Sequence, residues 1–162
     1  MTKVVATRTG MGLNPPKEFQ EIAQKAFMDV APEGLNNFTA AMCGSCAVEA
    51  AYKMIMINHG QDRRGGKTVM PTEEELASCM MNTLPGSPNK GILSFKCGFH
   101  GRLFGSLSSS RTKAIHKVDM PAFDWPVAEP PQYKYPLEDN VEYNKAQDNA
   151  SLESVAAAVK HW

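Results

Sequence analysis

Two short segments of this 162-residue chain carry residue types that could do chemistry. The first is Cys43-Gly44-Ser45-Cys46, set between an expected strand and an expected helix. A helix start presents unpaired backbone N–H groups and a partial positive charge, so it attracts an anion such as a phosphate. Gly44 would let the backbone approach that anion, and the Ser45 hydroxyl would add a donor. A tight strand-to-helix turn capped by Ser45 explains the same residues without any ligand. The two bracketing thiols suit a redox dithiol, half a metal site or two small buried side chains. Spacing alone favours the last. Cys79 and Cys97 form no second close pair, so a complete zinc site within the chain is not expected.

The second segment is Phe99-His100-Gly101-Arg102. An aromatic face beside an arginine could stack on a flat ring while the guanidinium grips a carboxylate with two parallel hydrogen bonds. A core Phe next to a surface Arg is the plainer account, and His100 alone decides nothing. Arg63, Arg64 and Lys67 read as a solvated loop, and Glu73, Glu74 and Glu75 as complements to a helix dipole.

The elements that must position these segments follow from periodicity. Asn14-Pro15-Pro16-Lys17-Glu18 has the pattern of a helix start, with a capping Asn and prolines where the amide is free anyway. Phe19, Ile22, Ala23, Ala26, Phe27 and Val30 then mark one buried helical stripe, stopped at residues 31–34. Phe38, Ala40 and Met42 alternate, which predicts a short strand within 35–42. A helix over about 47–58 is apolar on most faces (Val48, Ala51, Met54, Ile55), as for a helix packed on a sheet. Thr72 and Glu75 form a capping box opening a helix to about residue 81. Residues 91–95 read as a buried strand, and Leu152, Val155, Ala156 and Val159 as the stripe of a last helix ending near residue 160. Residues 121–136, rich in proline and aromatics, read as an irregular segment crossing the surface. This order predicts an α/β protein with a parallel sheet.

Composition narrows the classes. Hydrophobic residues are 43% and charged residues 21%, as in one ordinary globular domain. Seventeen Lys plus Arg balance 17 Asp plus Glu. A chain without net charge lacks the bulk electrostatic term of nucleic-acid binding, so no nucleic-acid partner is expected. No apolar run approaches the roughly 20 residues that span a bilayer, so no membrane partner is expected either. Met1-Thr2-Lys3-Val4-Val5 carries no targeting signal. Four scattered cysteines suit a reducing compartment.

Longer stretches carry a resemblance. Cys43-Gly44-Ser45-Cys46-Ala47, then Phe99-His100-Gly101-Arg102-Leu103-Phe104-Gly105, then Lys113-Ala114-Ile115-His116-Lys117-Val118-Asp119 resemble the 4-aminobutyrate aminotransferase family in order and spacing. Ala122-Phe123-Asp124-Trp125-Pro126 and Lys134-Tyr135-Pro136-Leu137-Glu138 continue it, so it covers nearly the whole chain. These are ornithine-type, class III aminotransferases that use pyridoxal 5'-phosphate (PLP). The resemblance implies a partial fold type I large domain, a mostly parallel sheet flanked by helices, with residues 1–162 forming a single incomplete cofactor-binding domain.

It also implies roles. Gly44 and Ser45 match the segment that binds the cofactor phosphate. Phe99 matches the aromatic stacked on the pyridine ring, with His100 beside it. Arg102 matches the arginine that holds the substrate carboxylate, in a reaction taking 4-aminobutyrate and 2-oxoglutarate to succinate semialdehyde and glutamate. Cys43 and Cys46 match cysteines that, in animal forms, hold a 2Fe-2S iron–sulfur cluster shared across a homodimer. The family location implied is the mitochondrial matrix or the cytosol. Val48 stands where the family usually has Asn, with an expected weakening of the local hydrogen-bond network. The Schiff-base lysine motif has no match here, so no catalytic residue is assigned and the chain alone is expected to be inactive. Two other readings stay open: a non-catalytic binding or dimerisation fragment, and a Cys-x-x-Cys iron–sulfur or redox module.

Overall fold

The computed structural model describes residues 17–162. The expected Asn14-Pro15-Pro16 cap therefore lies outside the described residues. Five α-helices are present among these: α1 (Phe19–Ala26), α2 (Gly44–Arg63), α3 (Glu73–Cys79), α4 (Phe104–Ser109) and α5 (Val141–His161). Two strands, β1 (Ser94–Phe95) and β2 (Val127–Ala128), pair in parallel with Ser94 opposite Val127. The α/β class and the parallel sheet agree with the sequence.

Several elements differ from expectation. The α1 stripe stops at Ala26 and continues only as a 3-10 turn over Met28–Val30. Pro32 disfavours helix at the residue before it. Residues 35–42 form no strand, because no described strand lies beside them to pair with. Phe38 instead stacks on Phe27 at 5.4 Å. The capping box at Thr72 is present, with Glu75 N–H donating to Thr72 Oγ1 (3.1 Å) and Thr72 N–H to Glu75 Oε2 (2.8 Å). The segment 121–136 is not merely a surface crossing: it carries β2 and buries Trp125 and Ala128.

α2 was expected to lie buried against a sheet, yet it has no fully buried residue, and Met54, Ile55 and Ile57 are exposed. Its partner is α4, and the contact is polar. Arg102 N–H donates to Ser45 Oγ (3.1 Å), Ser106 N–H to Glu49 Oε1 (2.7 Å), and the Tyr52 and Ser109 hydroxyls share a bond of 2.6 Å. Each bond joins residues 57 apart in sequence. Residues 45, 49 and 52 share one face of a helix, as do 102, 106 and 109 of the facing segment. The two segments thus run in the same direction in constant register. Glu49 lies where α4 begins, so its carboxylate meets amides that have no partner within the helix.

α5 uses the same device. Asn144 accepts from Lys134 N–H (2.9 Å) and donates to Lys134 O (3.0 Å). Gln147 accepts from Gln132 N–H (3.1 Å), Ser151 donates to Glu129 O (2.8 Å), and Ser154 accepts from Glu129 N–H (2.9 Å). This polar stripe docks the backbone following β2. The expected apolar stripe is not the buried one: Leu152 and Val159 are exposed, whereas Asn144 and Ser151 are buried. The extended backbone at 129–134 needs hydrogen-bond partners, and a polar stripe supplies them. Trp125 closes the core, its ring edge-on to Tyr52 at 5.7 Å and stacked on Phe123 at 4.9 Å.

Removing one member of the α2–α4 ladder leaves a half-buried polar group unpaired. Glu49→Ala should lower stability by about 2 kcal/mol and Tyr52→Phe by about 1 kcal/mol. In urea titrations the double variant should lose less than the sum of the two, because both act on one shared contact.

Candidate functional site

The turn at the start of α2 has the geometry that an anion site needs. Cys43 is extended (φ −157°, ψ 172°), and no side chain caps the helix. The first intrahelical bond runs from Ala47 N–H to Cys43 O (3.0 Å). The amides of Gly44, Ser45 and Cys46 therefore have no partner within the helix. A Cβ on Gly44 would meet nothing within 4 Å, so the space over the helix start is open.

Against this turn lies Gly101-Arg102, joined to it by the Arg102–Ser45 bond of the ladder. Gly101 is buried with φ +123°, and a Cβ there would stand 2.4 Å from Ser45 Oγ and 2.9 Å from Ser106 Oγ. Only glycine meets both demands. Ser110 fixes the backbone on the other side. Its hydroxyl accepts from His100 N–H (2.8 Å) and faces the carbonyls of Gly101 and Ser106, each at 2.9 Å.

Ser45, Gly101, Arg102 and Phe99 are thus brought together. The Arg102 guanidinium carbon stands 5.9 Å from the Phe99 ring centre, and Arg102 Nη2 lies 3.2 Å from His116 Nε2. His116 also meets Phe99 edge-on at 6.1 Å. Nothing in its spacing marks His116, although it falls in one of the segments that carry the resemblance. His100 is not part of this cluster: its Nε2 packs over Gly98, 2.9 Å from where a Cβ would be. Val48 is half-buried, and the network bypasses it through Ser45, Glu49 and Tyr52.

Phe99 and Arg102 are exposed. A cavity of about 560 Å³ adjoins the turn on the side of Cys46, Glu49 and Leu103, walled by Phe19 and Phe38. Phe99 and Arg102 do not line it.

The thiols of Cys43 and Cys46 lie 3.5 Å apart. The Cys46 backbone N–H and its thiol hold the Cys43 thiol below the ordinary value. The hydrogen bond to Cys43 and burial push Cys46 above it. Two thiolates this close can bind one metal centre. A four-thiolate cluster needs two more ligands, and among the described residues no group of three or more His, Cys, Asp or Glu converges as a metal site. No helix among the described residues is long and apolar enough to cross a membrane.

Comparison with known proteins gives these features a family. The sequence pattern of the family described as aminotransferase class-III matches residues 3–162. The chain belongs to the class III aminotransferases. It is 49% identical over 158 residues to the 4-aminobutyrate aminotransferase of Dictyostelium discoideum, covering 98% of this chain and 32% of that protein. The 4-aminobutyrate aminotransferase of Emericella nidulans is 44% identical over 162 residues, covering 100% of this chain and 32% of its own length. The relative from Sus scrofa, named as mitochondrial, is 42% identical over 148 residues, covering 91% of this chain and 29% of its own. The chain therefore spans about a third of the length of the curated relatives it matches. Among solved structures, a mutant of Rv3290c from M. tuberculosis aligns with a TM-score of 0.69 at 18% identity, over 99% of this chain and 33% of that one. That likeness supports the fold.

Two outcomes check the site. Gly101→Ala should destabilise the chain by about 2 kcal/mol or more, read by thermal or urea denaturation, because the side chain clashes and the backbone is strained. At neutral pH, iodoacetamide should label Cys43 faster than Cys46, since only the thiolate reacts and Cys43 ionises first. Equal labelling rates by mass spectrometry would remove the asymmetry.

Proposed function

We propose that this chain is the phosphate- and carboxylate-binding part of a PLP-dependent 4-aminobutyrate transaminase. The parent reaction would move the amino group of 4-aminobutyrate to 2-oxoglutarate, giving succinate semialdehyde and glutamate. The observation that carries this reading is the Arg102–Ser45 bond, which joins an uncapped helix start to an exposed Arg–Phe pair.

The residues fit the group at two points. The amides of Gly44 and Ser45 would hold the cofactor phosphate, and the Ser45 hydroxyl, already accepting from Arg102, keeps its own proton to donate. The Phe99 ring offers a flat exposed face for the pyridine. Bound PLP supplies an electron sink for bonds at the substrate carbon bearing nitrogen. Arg102 would bind the substrate carboxylate, with His116 steadying its guanidinium through Nη2. Since Ser45 also fixes the Arg102 backbone, phosphate and carboxylate would be held at a set separation. Glu49, through Ser106, holds the α4 start and hence the direction of Phe99-Arg102.

On this reading, residues 1–162 are one incomplete cofactor-binding domain and assign no catalytic base. Its 121–136 segment contributes core and strand rather than ligands. His100 would support the ring-binding segment through its backbone N–H and not through its imidazole. The same reading takes homodimerisation from the family.

A second reading concerns Cys43 and Cys46. Their 3.5 Å separation and the exposure of Cys43 favour a 2Fe-2S cluster completed by the same pair from a second copy. Visible absorbance after anaerobic reconstitution, lost in Cys43→Ser, would support it. A colourless reconstituted dimer would end it.

The main reading is tested by titrating PLP into the purified chain. Ser45→Ala should weaken PLP binding about tenfold, the worth of one charge-assisted hydrogen bond. Arg102→Gln should leave PLP affinity unchanged and remove the part of the 4-aminobutyrate effect on the PLP spectrum that exceeds that seen with free PLP in solution. Borohydride reduction followed by mass spectrometry should yield no stoichiometric pyridoxyl-lysine. PLP binding indifferent to Ser45 would overturn the assignment of the turn.

A further inference from the structure

The other end of α2 carries a second concave site. It lies about 24 Å along the helix from the Gly44 turn, at 1.5 Å per residue. A cavity of about 640 Å³ opens between the last turns of α2, α3, the turn at 85–90 and the Phe123-Trp125 stack. That volume lies within the range of small-molecule sites. No residue of the Ser45–Arg102 cluster lines it.

Its charges are unbalanced. Arg63, Arg64 and Lys90 line the cavity against the single carboxylate of Glu75, whose Oε2 is engaged by Thr72 N–H. Arg64 Nη1 and Lys90 Nζ converge beside Gly60: a Cβ built there would lie 3.6 Å from the first and 3.5 Å from the second. Two like charges over one point repel unless an anion sits between them. Neither forms an ion pair with a carboxylate among the described residues. Lys90 Nζ is steered into place by Met56 O (2.9 Å), which accepts one of its three protons. Arg64 Nε is buried without an acceptor, and a buried unpaired donor of a charged group is costly. Of the solvated loop expected at Arg63, Arg64 and Lys67, Arg63 instead ends α2 and Arg64 is half-buried, while Arg63 and Lys67 are exposed. Beside the cations, Phe123 presents an exposed ring stacked 11° from parallel on Trp125.

We propose that this cavity binds a small aryl anion, an aromatic ring bearing a phosphate or a carboxylate. Arg64 and Lys90 hold the anionic head beside Gly60, and the ring lies along Phe123. Glycine at position 60 puts no side chain of α2 between the two cations. PLP is itself an aromatic ring bearing a phosphate, so the Lys90 and Arg64 variants, which leave the Ser45 turn intact, separate binding here from binding at the turn.

The test uses the full chain, with phenyl phosphate, benzoate and inorganic phosphate as probes. Calorimetry gives affinity, and the Arg64 Nε–H resonance in a nitrogen–proton correlation spectrum reports the site directly. Phenyl phosphate or benzoate should move that resonance saturably, and whichever binds more tightly identifies the head group. Inorganic phosphate alone should bind at least about tenfold more weakly than phenyl phosphate, having no ring to stack. Lys90→Met and Arg64→Lys should each weaken the aryl anion about tenfold while far-UV circular dichroism stays unchanged. The Lys90 variant keeps the test open if the Arg64 variant misfolds. Absence of saturable binding by either aryl probe would overturn the proposal. So would variants that bind as tightly as the original chain, or inorganic phosphate matching phenyl phosphate.

Discussion

The candidate site depends on a ladder of three hydrogen bonds in constant register. Ser45, Glu49 and Tyr52 on α2 hold positions 102, 106 and 109 of the facing segment. Each bond is worth only about 1 kcal/mol net, yet leaving any of those half-buried groups unpaired costs more than making the bond gains. A slip by one residue would break all three together. The ladder therefore specifies register more sharply than an apolar seam of equal length would, because apolar contacts tolerate sliding. Gly101 makes the register tighter still, since no side chain fits between it and Ser45.

Polar fastening of this kind recurs. α5 holds the backbone after β2 through Asn144, Gln147, Ser151 and Ser154, and Ser110 ties His100, Gly101 and Ser106 together. The few fully buried apolar side chains, Ala23, Leu107, Trp125 and Ala128 among the described residues, make only a modest core. Side chains bonded to irregular backbone carry much of the organisation around it. Met54, Ile55 and Ile57, on the far face of α2, take no part in that core and are exposed.

What the sequence makes legible follows from this. The Cys43–Cys46 turn, the Thr72 capping box and the pairing of residues 91–95 in a parallel sheet depend on local chemistry or strong apolar runs, and they are visible. The α2–α4 ladder is not, because polar residues that bond backbone leave no hydrophobic period. A reader following apolar spacing in α2 finds Val48, Ala51, Met54 and Ile55 and passes over Ser45, Glu49 and Tyr52. The same bias puts Leu152 and Val159 inward on α5, where Asn144 and Ser151 are the buried residues. Alternation at Phe38, Ala40 and Met42 resembles a strand, but alternation cannot supply a neighbouring strand. Ser45 and Arg102, 57 residues apart, could be joined only through recognition of the family or through coordinates.

The parallel pairing of β1 with β2 encloses the whole stretch from Phe99 to His116 within one crossover. Closing a loop of this length costs about 3 kcal/mol of chain entropy before any contact inside it is rewarded. β2 is in turn gripped by α5, which among the described residues shares no hydrogen bond with Ser45, Phe99 or Arg102. Loosening of α5 would therefore reach the arginine from a distance. A cut in the 3-10 turn at Glu138–Asn140, just before α5, would loosen the Arg102–Ser45 contact while leaving both of its residues intact.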